Sequence, residues 1–267
     1  MKNILTFLIM IVFTILLVFL INKTYTLSKS YENIYSQYAK SKTLDKNIQN
    51  EVGNLISSFV GLFAKTKVIH KIQINYKEKL NKIKEKIIIN IKYILIIIFV
   101  SMFFYFILNK IIILSFLYLQ SMIFLVYGLI SPIFLMYVTQ EFASNTIILQ
   151  FESNSIISSI EKLFAQDNYF VGGIILIFSV IFPILKTIVS FVALHIKSIN
   201  ILSKVNSFSS SLSKLSMTDV FVLSIFLVYL SPKSDGIIKT ELEVGFLFFF
   251  IYVVISLFIA VINKEKS

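Results

Sequence analysis

Phe170-Val-Gly-Gly-Ile-Ile-Leu-Ile-Phe-Ser-Val-Ile-Phe-Pro-Ile-Leu-Lys-Thr-Ile-Val-Ser-Phe-Val-Ala193 decides the class of this protein, because Lys186 is its only charge. As a helix rising about 1.5 Å per residue, the run extends roughly 36 Å and crosses the ~30 Å hydrocarbon layer of a bilayer. The whole chain agrees. Of its 267 residues 57% are hydrophobic and 15% charged, against about 25% charged in a typical soluble domain. A water-soluble fold could not keep that much apolar surface from solvent, whereas lipid takes it up.

Working outward, Ile4 to Ile21 is a second uncharged run, bounded by Lys2 and Lys23. It lacks the small-residue cleavage site of a signal peptide and reads as a retained anchor. Ile87 to Val138 is too long for one helix at about 1.5 Å per residue, and Asn109-Lys110 is its only polar break. That gives two antiparallel spans, 87–108 and 111–137. A fifth run, Asp219 to Leu230, reaches crossing length when extended back to about Ser213. Gly245 to Ile262 is the sixth. The expectation is an all-α polytopic membrane protein with about six transmembrane helices. Its parts are an anchor at 1–22, a basic helical segment at 23–86, a span at 87–108 and a four-helix membrane module at 109–267.

The connecting segments carry their own patterns. Residues 23–86 hold thirteen Lys and five acids. Val68, Ile72, Tyr76, Leu80, Ile83 and Ile87 recur at helical spacing among them, so an amphipathic helix is expected there, running on into the next span. Residues 138–169 are net acidic, with Glu141, Glu152, Glu161 and Asp167 against Lys162. Within them, Asn145 to Phe151 suits a strand, and Asn154 or Ser155 starts a short helix through Phe164. Residues 231–243 read as a turn followed by a strand. These pieces predict a small extracytoplasmic β element.

Loop charge sets the orientation. The loop at 195–215 and the C-terminus carry Lys and belong inside; the acidic loops belong outside. Counting spans puts 23–86 outside as well, against its lysines, which the rule tolerates because segments longer than about 60 residues largely escape it. All 25 basic residues are Lys. Without Arg forks or a soluble basic face, nucleic acid is excluded as a partner. There is no Cys, and no phosphate-binding loop, nucleophile elbow or metal-ligand cluster. Neither an enzyme, a metal nor a cofactor is expected.

Polar groups inside the spans are the candidate functional residues, since polarity there is costly. Lys186 lies roughly 12 Å inside the end of its span by helical rise. Asp219 lies at the start of the following span, with Ser216 three residues earlier in a capping position. The two opposite charges fall on consecutive antiparallel helices and suit an ion pair in the bundle interior. Snorkelling of Lys186 and a first-turn role for Asp219 are the plainer readings. Pro183 frees a carbonyl near Ser179, which shares a face with Lys186 at two turns. Pro132 repeats that kink in the third span. Lys92 reads as snorkelling outward, and His70 and His195 as ordinary loop histidines.

Gly128-Leu-Ile-Ser-Pro132, Ser155-Ile-Ile-Ser-Ser-Ile-Glu161, Phe178-Ser-Val-Ile-Phe-Pro-Ile-Leu-Lys186 and Lys214-Leu-Ser-Met-Thr-Asp-Val-Phe221 occur in this order. The stretch from about 111 to 263 resembles the paraquat-inducible protein A (PqiA/LetA) family. The resemblance implies a multi-pass protein of the bacterial inner membrane that loads or unloads phospholipid with a periplasmic MCE-domain partner. It also implies that Ser179, Lys186, Ser216 and Asp219 form the polar core. Typical members carry two modules and Cys-rich zinc ribbons; this chain has one module and no Cys, and a homodimer would restore the pair. It has Leu212-Ser-Lys-Leu-Ser216 where the family has a Gly-Lys-Trp lead-in. An intramembrane Lys/Asp pair also suits an ion- or proton-coupled transporter, although no internal repeat supports one. A stress-linked scaffold recruiting a partner through 23–86 is the third reading.

Overall fold

Residues 2–52, 59–104, 110–142, 145–195 and 238–264 are described by the computed structural model. Two long helices open the chain: α1, Lys2–Val52, and α2, Phe59–Phe103. α2 runs unbroken from the basic segment into the membrane span, as its periodicity predicts. α1 does the same in the opposite direction, so neither domain boundary drawn at 22 or 86 falls at a break in a helix.

The pairing of α1 and α2 follows from burial. On α1, Met10, Thr14, Leu17, Ile21, Thr24, Ser28, Tyr31 and Tyr35 are buried, at alternating steps of four and three. On α2, Leu80, Ile87, Asn90, Ile94, Ile97 and Ser101 continue the same rhythm, with Ile83 partly buried. A mean step of 3.5 residues is the seam of a left-handed supercoiled pair. The seam crosses from membrane into the extramembrane segment without changing period. Only its outward faces change, from Val12, Ile15 and Phe19 in α1's span to lysine-rich surface beyond it.

Three more membrane-crossing helices follow. They are α3, Lys110–Ile130, a helix from Tyr169 to His195, and the closing helix Val244–Lys264. Five helices among the described residues are thus long and apolar enough to span a membrane. The expected span at 213–230, with Ser216 and Asp219, lies outside the described residues.

α3 ends earlier than the sequence reading placed it. Its last residue is Ile130, and Phe134–Phe142 forms strand β1 instead of completing a span to 137. Pro132 therefore kinks no helix. It stands beyond the helix end, where a proline bars the residue before it from helical geometry. β2, Asn145–Asn154, pairs antiparallel with one edge of β1. β3, Ile238–Leu242, pairs antiparallel with the other, from Phe134 opposite Leu242 to Val138 opposite Ile238. The order β2-β1-β3 leaves β1 central. The strands expected at 145–151 and in 231–243 are present; β1 is the addition.

Helix α4, Ile156–Ala165, begins at Ser155 with a reciprocal cap. The Ser158 amide donates to Ser155 Oγ at 3.1 Å, and the Ser155 amide donates to Ser158 Oγ at 2.8 Å. Two amides that would otherwise lack partners are satisfied this way. The 169–195 helix comprises α5, Tyr169–Ile175, a wide π turn over Leu176–Ile181, and α6, Phe182–His195. The closing helix is α7.

α3 and α7 pack closely because glycines stand where they meet. A Cβ on Gly128 would lie 2.9 Å from the Phe249 backbone nitrogen, and one on Gly245 would overlap the carbonyl oxygens of Ser131 and Pro132. The Gly245 amide instead donates to Pro132 O at 2.7 Å. Beside it, the Ile133 amide donates to Asn154 O at 2.9 Å and the Glu243 amide to Ile133 O at 2.8 Å. These bonds stitch the ends of α3 and α7 to the sheet.

The sheet and the extramembrane part of the α1–α2 hairpin occupy the same rim. The Tyr35 ring stacks on Phe151 at 5.1 Å and meets Tyr137 at 5.7 Å. Lys84 Nζ lies 3.3 Å from Glu241 Oε2. At the opposite rim, Ser115 Oγ near the start of α3 lies 3.3 Å from His195 Nε2 at the end of α6.

Candidate functional site

Two polar features stand out in this framework. The first lies inside the bundle, where Pro183 has no N–H to give and the helix widens just before it. The Phe182 amide donates to Ile177 O, five residues back. A local π turn of this kind accommodates the proline without breaking the helix. Ser179, Pro183 and Thr187, spaced by four, are all buried and form one face. Thr187 Oγ1 donates to Pro183 O at 2.8 Å. Tyr252, on α7, has its hydroxyl 3.3 Å from Thr187 Oγ1 and donates to Pro183 O at 3.4 Å.

Of the residues the sequence singled out, the structure thus places Ser179 and Pro183 on one buried face. Lys186 is half-buried beside that face. Ser216 and Asp219 lie outside the described residues, and with them the expected Lys186–Asp219 pair. Sequence reasoning missed Thr187 and Tyr252. The signal for Thr187 was available, since it stands one turn after Pro183, where a hydroxyl can return a bond to the proline carbonyl.

The second feature is a cleft of about 300 Å³ at the rim, between α1, α2, β3 and the start of α7. Its wall is apolar, with Ile87, Ile88 and Ile91 from α2 facing Phe246 and Leu247 from α7. Its mouth is polar, lined by Tyr31, Lys84, Glu241 and Glu243. β3 produces this layout directly. Glu241 lies near the end of β3 and Glu243 just past the strand's end, immediately before the chain enters the span at Val244.

The two carboxylates have different surroundings. Glu241 accepts from the Tyr137 hydroxyl at 3.2 Å and pairs with Lys84 at 3.3 Å. Among the described residues Glu243 accepts one long bond, 3.5 Å, from Ser28 Oγ. Burial pushes its carboxyl up to about 7, helped by the charge of Glu241 and opposed by Lys84. Tyr137 is also raised, by burial first and by Glu241 second. The cleft therefore brings one satisfied carboxylate, one weakly satisfied carboxylate and one ammonium to the top of an apolar wall.

A mostly helical chain with several spans and a three-stranded sheet on one rim defines a multi-pass membrane protein. Its membrane module has a closer assignment. The family model for paraquat-inducible protein A matches residues 115–266, more than half of the chain, and the chain belongs to that family. No curated protein and no solved structure matches it. The matched stretch contains β1 to β3, α4 to α7 and α3 from residue 115 onward. The α1–α2 hairpin lies outside it.

Proposed function

We propose that this chain is an inner-membrane component of an MCE-type intermembrane lipid transport system, a non-enzymatic protein that hands phospholipid to or from a periplasmic MCE-domain partner. The observation that carries the reading is the rim cleft. A site for a phospholipid at the edge of a bilayer needs an apolar wall continuous with the membrane and polar groups at headgroup height. Ile88 and Leu247 below Lys84 and Glu243 provide that arrangement. Membership of the paraquat-inducible protein A family supports it, since the resemblance of the motifs implied the same role. The hairpin adds reach: from Lys23 to Val52, α1 extends roughly 45 Å by helical rise, far enough to meet a partner beyond the headgroups.

The test is recovery of partners. The tagged chain is purified from native membranes in mild detergent, and the co-purifying proteins are identified by mass spectrometry. An MCE-domain protein enriched above an unrelated membrane-protein control is the expected result. A clean preparation from cells that express such a protein refutes the reading.

A further inference from the structure

We propose that the rim cleft binds a zwitterionic phospholipid whose headgroup carries an ammonium, with that ammonium on Glu243, the phosphate on Lys84 and the first methylenes of an acyl chain on the Ile88–Leu247 wall. This rests on the lipid-handling reading and goes beyond it, by naming the headgroup chemistry and the residues that select it.

The argument begins with Glu243. Among the described residues no cation forms an ion pair with it, and its nearest polar partner is the Ser28 hydroxyl at 3.5 Å. A half-buried carboxylate next to a second carboxylate favours an incoming positive charge. Glu241 does not compete for that charge equally, because Lys84 and Tyr137 already engage it. Lys84 in turn has spare capacity. Its side chain is 56% exposed, and an ammonium has three donors, so two remain for phosphate oxygens after Glu241 is served. Cation and anion subsites thus sit side by side, in the order that a phosphoethanolamine or phosphocholine headgroup requires.

The same layout disfavours an anionic lipid. Its phosphate could meet Lys84, but its headgroup brings no cation, so Glu243 would gain no counter-charge from the lipid. The apolar wall disfavours a free soluble headgroup, which has nothing to place on Ile88, Ile91 and Leu247. At about 300 Å³ the cleft holds a headgroup and the first part of a chain; the rest of the lipid stays in the bilayer beside exposed Ile88. Neither the hairpin nor the family module forms the site alone, since Lys84 comes from α2 and Glu243 precedes α7.

The full-length chain, purified in detergent at pH 8, is titrated with dioleoyl phosphatidylethanolamine and with dioleoyl phosphatidylglycerol. Retained lipid is read by native mass spectrometry. Phosphatidylethanolamine is expected to be retained in preference. Glu243→Gln should weaken its retention about tenfold, a difference of about 1.4 kcal/mol, and leave phosphatidylglycerol unchanged. Lys84→Gln, at a more exposed position, should weaken both lipids. Glu78→Gln, in an exposed pair with Lys82 on the same helix, should change neither. Equal retention of the two lipids, or a Glu243→Gln chain that binds like the wild type, overturns the headgroup assignment and leaves lipid handling standing. Retention of neither lipid overturns both. Competition by soluble phosphoethanolamine as strong as by the lipid itself would overturn the lipid as occupant.

Discussion

Replacing Glu243 by Gln should change the pH dependence of stability in a defined window. The Glu243 carboxyl is raised to about 7 from 4.5, chiefly by burial. Between those values the folded chain holds a proton that the unfolded chain has released. Stability attributable to this group is therefore fully present below about pH 4.5 and is lost as pH rises through about 7. The shift of 2.5 units, at about 1.36 kcal/mol per unit, sets an upper bound of roughly 3 kcal/mol. The groups facing Glu243 also titrate or carry charge: Tyr31 and Glu32 from α1, Lys84 from α2 and Glu241 from β3. Comparison of wild type with Glu243→Gln cancels most of their contribution. The assay is thermal unfolding followed by circular dichroism on delipidated protein in detergent, since the chain has no Trp for fluorescence. The variant should match the wild type near pH 4.5 and exceed it at pH 8. At roughly 2–4 °C per kcal/mol for a chain of this size, the gap is several degrees. A gap that stays constant from pH 4.5 to 8 would refute the burial argument.

Three further outcomes follow from the packing. Gly245→Ala should abolish recovery of folded protein or lower its melting temperature sharply, because the added methyl overlaps the Ser131 and Pro132 carbonyls; Gly173→Ala, with nothing within 4 Å, should be neutral or stabilise by up to about 1 kcal/mol through helix propensity. Tyr252→Phe removes the hydroxyl between Thr187 and Pro183 O. It should cost about 0.6 kcal/mol, the average for hydrogen bonds between membrane helices, and at most about 1.7, measured as a fall in the unfolding midpoint. Because the chain has no Cys, single cysteines introduced as Lys82→Cys and Lys239→Cys can report sidedness through a membrane-impermeant maleimide. Both should label from the same side, and labelling from opposite sides would contradict the contact between hairpin and sheet.

What the sequence made legible was local. The Ser155 start of α4, the strand at 145–151 and the spans at 170–193 and 245–262 each follow from caps, β-propensity or an uninterrupted apolar run. β1 was not legible, because Ile133-Phe-Leu-Met-Tyr-Val138 is apolar throughout. A helix continuing from Ile130 and a strand buried between two neighbours look the same in such a run. The extent of α1 was hidden for a different reason. Its seam beyond the span is built from Thr24, Ser28, Tyr31 and Tyr35, which do not register as a hydrophobic stripe. Pro183 and Ser179 were found because a proline in a span is conspicuous. The rim cleft could not be found, since Lys84 and Glu241 are 157 residues apart and only the return of β3 to the sheet edge brings them together.

The shared rim also removes the difficulty that loop charge posed for the topology. The basic segment and the β element lie on one side, whichever side that is, since Lys84 of the one pairs with Glu241 of the other. The basic segment therefore does not oppose the acidic loops in an orientation argument; it neutralises part of their charge. What remains to set orientation is sequence charge at Asn109-Lys110 and 195–215, short lysine-bearing stretches of the kind to which the positive-inside rule applies. The proposed function requires the hairpin, the sheet and the cleft to share the extracytoplasmic face. A lipid entering the cleft from the outer leaflet would then lie within reach of the same hairpin that extends toward a periplasmic partner.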